Sequence, residues 1–152
     1  MPTNPKEYYP PMHSAEHILN QTMVRMFGTE RSFSNHIERK KSKCDYHFDR
    51  DLTDSEKIDL QIRVNEVIDS NLKVSETLMS FSDAKISFNL DRLPENSGDK
   101  IRIINIGDYD KCLCSGVHVS NTSEIGHIRI ISSSFENGVL RIRFKLQNNS
   151  SI

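Results

Sequence analysis

Between His13 and Phe27 apolar residues return every third or fourth position, which predicts a helix. At about 100° per residue, Ala15, Ile18, Leu19, Thr22 and Met26 gather on one side. His13 and His17 fall on the opposite side with Asn20 and Val24, one turn apart and facing away from the apolar stripe. Gly28 supplies a stop, because a residue without Cβ enters the left-handed region at little cost. The period then shortens to two. Segments 35–41 and 43–49 predict a hairpin in which Cys44, Tyr46 and Phe48 alternate with Lys43, Asp45 and His47. Thr53-Asp-Ser-Glu56 is a capping box, and the helix it starts runs to about Ser70, burying Leu60, Val64, Val67 and Ile68. A strand at Leu72–Leu78 and a polar loop at 91–100 follow. Three more strands are expected at Ile101–Ile106, Gly126–Ile131 and Val139–Leu146. The last places Leu140, Ile142, Phe144 and Leu146 on one face.

Two main helices among hairpin-like strands predict an α+β fold with a largely antiparallel sheet. With 152 residues there is room for one sizeable core, and no linker divides it. The expected organisation is an N-terminal extension (1–12), a single domain (13–146) and a C-terminal tail (147–152). A content of 36% hydrophobic and 27% charged residues is that of an ordinary globular domain, which sets fibrous and disordered classes aside. Met1–Pro11 has no basic flank leading into an apolar run, so no secretion signal is read. No apolar stretch approaches membrane-spanning length. An odd cysteine count (Cys44, Cys112, Cys114) suits a reducing compartment, and a cytoplasmic location is expected.

A net charge of −1 neither favours nor disfavours nucleic acid. Two local clusters change that picture. Arg39, Lys40, Lys41 and Lys43 surround the hairpin turn, and Arg141, Arg143 and Lys145 occupy alternate positions of the last strand. Each cluster reads either as a phosphate-binding face or as a solvated polar edge.

The chemistry sits in two motifs almost a chain length apart, His13-Ser-Ala-Glu-His17 and Cys114-Ser-Gly-Val-His118. Together they offer imidazoles and a thiol, the ligands that Zn²⁺ prefers. Only tertiary structure can join them. Glu16 directly precedes His17, which is the wrong order for a His-Glu-x-x-His protease. Gly116 lets the backbone turn tightly enough for Cys114 and His118 to aim at one point. Cys44 reads as core, and Cys112 as a small apolar filler beside Cys114.

The run Ile106-Gly-Asp-Tyr-Asp-Lys-Cys-Leu-Cys114-Ser-Gly-Val-His118-Val-Ser-Asn-Thr-Ser-Glu-Ile-Gly126 resembles the editing domain shared by alanyl- and threonyl-tRNA synthetases. There the motif is typically Cys-Gly-Gly-Thr-His-Val, continuing into Asn-Thr-Gly-Glu-Ile-Gly. His13-x₃-His17 is similar to the family's opening helix, and the order of elements over 42–78 agrees. The likeness covers about 13–146. Three positions depart from it: Ser115 for the first Gly, Val117 for the Thr before the final His, and Ser123 for the Gly before Glu124. With no aminoacylation motifs read in it, the chain is similar to the short, freestanding AlaX-type trans-editing proteins.

The resemblance implies that His13, His17, Cys114 and His118 bind Zn²⁺. It implies zinc-dependent hydrolysis of a mischarged aminoacyl-tRNA in trans, typically seryl-tRNA of alanine identity, with the aminoacylated acceptor end of tRNA as partner. Four protein ligands close a tetrahedral site, whereas catalysis wants an open position. Either one of the four is held loosely, or the metal orients the substrate amine while water is activated elsewhere. The metal is expected to position the aminoacyl group. Ser34, His36, Ser115 and Thr122 are candidate pocket residues. Arg39, Lys40, Lys41, Lys43, Arg141 and Arg143 are candidate tRNA contacts. His36, His47 and His127 are candidate acids or bases, each with an ordinary surface role as the alternative, and no catalytic residue is assigned. The competing functional reading is a non-catalytic, zinc-stabilised domain that binds tRNA or another partner.

Overall fold

A computed structural model describes residues 9–87, 100–114 and 116–147. Nearly all of the expected 91–100 loop, most of the N-terminal extension, the tail beyond Gln147 and the candidate Ser115 lie outside the described residues. In chain order the elements are α1 (Pro10–Phe27), β1 (Ser34–His36), β2 (Ser42–His47), α2 (Asp54–Asp69), β3 (Val74–Ser80) and α3 (Phe81–Ser87). After these come β4 (Lys100–Ile106), β5 (Asp110–Leu113), a 3-10 turn (Thr122–Ile125), β6 (His127–Glu136) and β7 (Val139–Gln147).

Helix α1 starts three residues before the periodicity places it. Pro10 and Pro11 occupy its first turn, where a missing N–H loses no bond. It stops where expected: Gly28 sits at φ 70° and its amide returns to the Val24 carbonyl. Met12, Ala15, Ile18, Leu19 and Met23 enter the core, yet Ser14, Glu16, His17, Asn20 and Thr22 are buried too. The helix is therefore covered around most of its girth. Its histidine face meets other parts of the protein, with His13 partly exposed.

The expected single sheet is two antiparallel sheets, one ordered β1-β2-β7-β6 and the other β3-β4-β5. The division comes from the turn after β4, where the Tyr109 amide closes on the Ile106 carbonyl and the chain folds back as β5. Strand β5 is four residues long and has no alternation to announce it. Strand β6 runs five residues past the predicted end at Ile131. A register shift between Ile130 and Ser132 moves the apolar parity, and Phe135 then pairs with Leu140.

Cys44, Tyr46, Ile128, Leu140, Ile142 and Phe144 form the inner face of the larger sheet. They pack with Leu60, Val64 and Ile68 of α2 and the apolar face of α1. Each full burial of this kind is worth roughly 2 kcal/mol. Ala84, Ile101 and Ile103 make a small second cluster on the other sheet. The α2 capping box forms as expected: Thr53 Oγ1 accepts the Glu56 amide at 3.1 Å and Glu56 Oε1 accepts the Thr53 amide at 2.8 Å. Asn121 and Glu124 make a second one at the 3-10 turn. This turn bridges α1 and α2 and fixes the chain leaving the Cys114–His118 segment.

Candidate metal centre

Helix α1 holds His13 and His17 one turn apart, and β5 delivers Cys114 to the same end of the helix. The Arg102 guanidinium donates to the carbonyls of Cys114 (3.0 Å) and Gly116 (2.7 Å), tying the strap between Cys114 and His118 to β4. Gly116 lies so close to the helix that a Cβ there would stand 2.1 Å from His13 Cε1. No other residue fits without moving that ring. The strap then returns His118 beside the first two histidines, with ring centroids 4.4 Å from His13 and 4.4 Å from His17.

Cys114 Sγ is 3.6 Å from His13 Nε2 and 3.4 Å from His118 Nε2. The ligand atoms of His13, His17, Cys114 and His118 all lie within 4.8 Å of one another. In a tetrahedral zinc site a thiolate sulfur and an imidazole nitrogen stand about 3.6 Å apart. The donor set therefore suits zinc in both chemistry and size, and the cluster can hold a metal ion.

The electrostatics agree with that. Burial pushes the Cys114 thiol up, but contacts with His118, His13 and His17 outweigh it and bring the group down to about 3, leaving a thiolate. Burial lowers His17, yet the Glu16 charge, Asp110 and Cys114 reverse this and raise it to about 9. Burial, with the neighbouring imidazoles His17 and His13, keeps His118 below its usual value despite its bond to Cys114. A protonated His17 and a divalent cation would compensate the same anions, so a metal taken up here would displace the His17 proton.

A cleft of about 640 Å³ opens beside the cluster, lined among others by Glu16, Asn20, Arg31, Ser32, Asn35 and His47. Glu16 is buried, hydrogen bonded to the Asn20 amide, with Oε1 3.8 Å from His13 Nε2. Asn20 Oδ1 accepts the Ser32 amide at 2.7 Å, which joins the helix to the cleft wall. Asp110 accepts from Arg31 at 2.7 and 3.3 Å and from Gln21 at 3.0 Å. Burial would raise its carboxyl; His17 and Arg31 hold it below the usual range.

Sequence reasoning missed these groups for different reasons. Glu16 and Asn20 were legible, since positions 13, 16, 17 and 20 share one helix face. Arg31 and Asp110 are 79 positions apart, and no local pattern joins them.

The other candidates are scattered. Ser34 opposes Asp45 and His36 opposes Lys43, so both lie on the outer face of the sheet, and His36 pairs with Glu38. Asn35 and Phe33 line the cleft instead. Thr122 is fully buried away from the cleft, donating to the Ile68 carbonyl and accepting the Leu72 amide, both at 2.9 Å. His47 reaches the cleft rim stacked on Phe33, with centroids 4.0 Å apart. His127 pairs with Asp69. Cys44 is in the core. Cys112 lines the cleft as a neutral thiol pushed up by burial to about 12.

Among the candidate tRNA contacts, Arg141 is bound bidentately to Asp45 at 2.8 and 2.9 Å. Arg143 donates to Ser132 and Ser134 and opposes Lys43 across the sheet. Arg39 lies over the Tyr9 ring, and Lys40 and Lys41 are exposed at the hairpin turn. Among the described residues no helix is long and apolar enough to cross a membrane.

An α+β domain with a His/His/Cys/His cluster on a helix and a strap is thus defined. The family model of the threonyl and alanyl tRNA synthetase second additional domain matches residues 101–143, which span β4, β5, the strap and much of the β6–β7 hairpin. Similarity also extends over most of the chain. The alanine–tRNA ligase of Leptospira biflexa is 32% identical over 126 residues, 78% of this chain and 13% of that protein. Alanine–tRNA ligase 1 of Lachnoclostridium phytofermentans is 33% identical over 132 residues, 86% of this chain and 15% of that protein. The enzyme of Halalkalibacterium halodurans is 33% identical over 123 residues, 80% of this chain and 14% of that protein. The chain therefore spans only 13–15% of the length of these curated relatives. It is an editing-domain-like protein related to the alanyl- and threonyl-tRNA synthetases.

Proposed function

We propose that the chain hydrolyses mischarged aminoacyl-tRNA in trans in the cytoplasm, with seryl-tRNA of alanine identity as substrate and Zn²⁺ as cofactor. The observation that carries this reading is the convergence of four ligand atoms within 4.8 Å beside a polar cleft, in a chain related to alanyl-tRNA synthetases. His13, His17, Cys114 and His118 would hold the zinc, which when bound supplies a positive centre that orients the aminoacyl group and polarises its carbonyl. The chain's own groups do the rest. Asn20 is taken up by Glu16 and the Ser32 amide, so Ser32 Oγ and the Asn35 side-chain amide would be the hydrogen-bond partners in the cleft. Leaving such partners unmet costs about 1–3 kcal/mol. That penalty favours a hydroxyl-bearing serine over alanine. The cations on the outer face of the larger sheet would meet the phosphates of the acceptor end.

Release of amino acid from seryl-, glycyl- and alanyl-tRNA tests the reading, with His17→Ala and Cys114→Ala as controls. Hydrolysis of seryl-tRNA, spared alanyl-tRNA and loss of activity in both controls are expected. No release from any of the three would overturn it. A closed set of four protein ligands favours the second reading, a structural zinc in a tRNA- or partner-binding domain. That reading predicts tRNA binding without release.

A further inference from the structure

We propose that Asp110, anchored by Arg31 and Gln21, is the positioning residue that fixes the ring of His17 by accepting its Nδ1–H. The inference rests on the reading that the four-residue cluster binds a divalent metal. His17 is 2% exposed, and its Nδ1 is a buried polar atom without a hydrogen-bond partner. The acceptor facing it is Asp110 Oδ2 at 3.6 Å, in ion-pair range and slightly beyond a hydrogen bond.

Asp110 is itself 1% exposed, and its orientation is imposed from the far side. Arg31 grips both carboxylate oxygens and Gln21 binds Oδ1, which leaves the free side of Oδ2 toward His17. An ionised carboxylate only accepts, so it favours the tautomer with the proton on Nδ1. That tautomer directs the Nε2 lone pair at the cluster. Arg31 also compensates the charge of Asp110, which keeps the carboxylate an outer support and not a competing ligand. The histidine of the strap uses a different device. His118 Nδ1 lies 3.0 Å from Ser14 Oγ, which also accepts the Val119 amide at 3.2 Å. Each of these two rings thus has its own support on α1 or β5, and only the His17 support is ionic.

The full chain is loaded with Zn²⁺ and, separately, Co²⁺, and wild type is compared with Asp110→Asn, Asp110→Glu and the double variant Asp110→Asn/Arg31→Met. The double variant removes both buried charges together, so it remains informative if the single one fails to fold. Chelator competition should show zinc affinity 10- to 100-fold weaker in Asp110→Asn and in the double variant, with partial recovery in Asp110→Glu. Imidazole ¹⁵N resonances of zinc-loaded wild type should show His17 protonated on Nδ1. The Co²⁺ absorption spectrum should change in Asp110→Asn while the folded fraction stays constant. Wild-type affinity and spectrum in the double variant, or a proton on His17 Nε2, would overturn the proposal alone. A wild-type chain that binds neither ion would overturn the metal reading and this proposal with it.

Discussion

At the scale of single residues, the four candidate ligands could be read because helical spacing pairs His13 with His17 and a short strap pairs Cys114 with His118. What could not be read is the space between them. Gly116 shows this: its need for glycine comes not from a left-handed backbone but from His13, whose ring fills the place of a side chain. Gly116→Ala should therefore displace that ring and weaken zinc binding at least tenfold, about 1.4 kcal/mol, with little loss of fold. Chelator competition measures this, and affinity equal to wild type would mean that the ring yields freely. The Asp110–Arg31 pair lay beyond sequence reasoning for a plainer reason. Arg31 lies in the connection between α1 and β1 and Asp110 opens β5, and a carboxylate facing an imidazole has no preferred chain separation.

Elements were legible where a local rule decided them. The capping box placed the start of α2 correctly because the Thr53–Glu56 exchange closes within one turn. Parity was harder. Ser34 and His36 were credible pocket residues until the hairpin register placed them with Asp45 and Lys43, leaving Asn35 to face the cleft. A one-residue change of register exchanges the faces, and a three-residue strand carries too few apolar positions to fix it. The α2 box also makes a pH-dependent contribution. Hydrogen bonds from Arg50, foremost, and from the Thr53 amide hold Glu56 at about 2, below its ordinary value of 4.5. A depressed carboxyl stabilises the fold above its unfolded value and loses that effect as pH falls through 4.5 toward 2. Glu56→Gln keeps an acceptor for the Thr53 amide but not the charge. Its melting temperature should lie below wild type at pH 7, and the gap should close as the medium is acidified. Thr53→Ala should instead cost about 1 kcal/mol across that range. A gap for Glu56→Gln that does not change with pH would assign its effect to packing.

For the whole molecule, net charge concealed what the sheet register reveals. Asp45 opposes and neutralises Arg141, whereas Lys43 opposes Arg143 and Arg129 opposes Lys145. Like charges directly opposed destabilise a sheet, so a face that keeps two such pairs suits an anionic partner. The sequence offered Arg141 and Arg143 as equals because they alternate on one strand. Only the pairing across β2 and β6 separates an internally balanced guanidinium from unbalanced cations, and it adds Arg129, which no cluster announced. The consequence is quantitative. If this face meets the tRNA backbone, each phosphate neutralised adds about 0.9 to the slope of log affinity against log salt concentration. Replacing Arg129 and Lys145 by Ala, or Lys43 and Arg143 by Ala, should each flatten that slope by about 2. Arg141→Ala should leave the slope unchanged and lower stability, since it strands the Asp45 carboxylate. Slopes that stay at the wild-type value in both pairs would move docking to another surface, while the metal cluster and its cleft would stand as described.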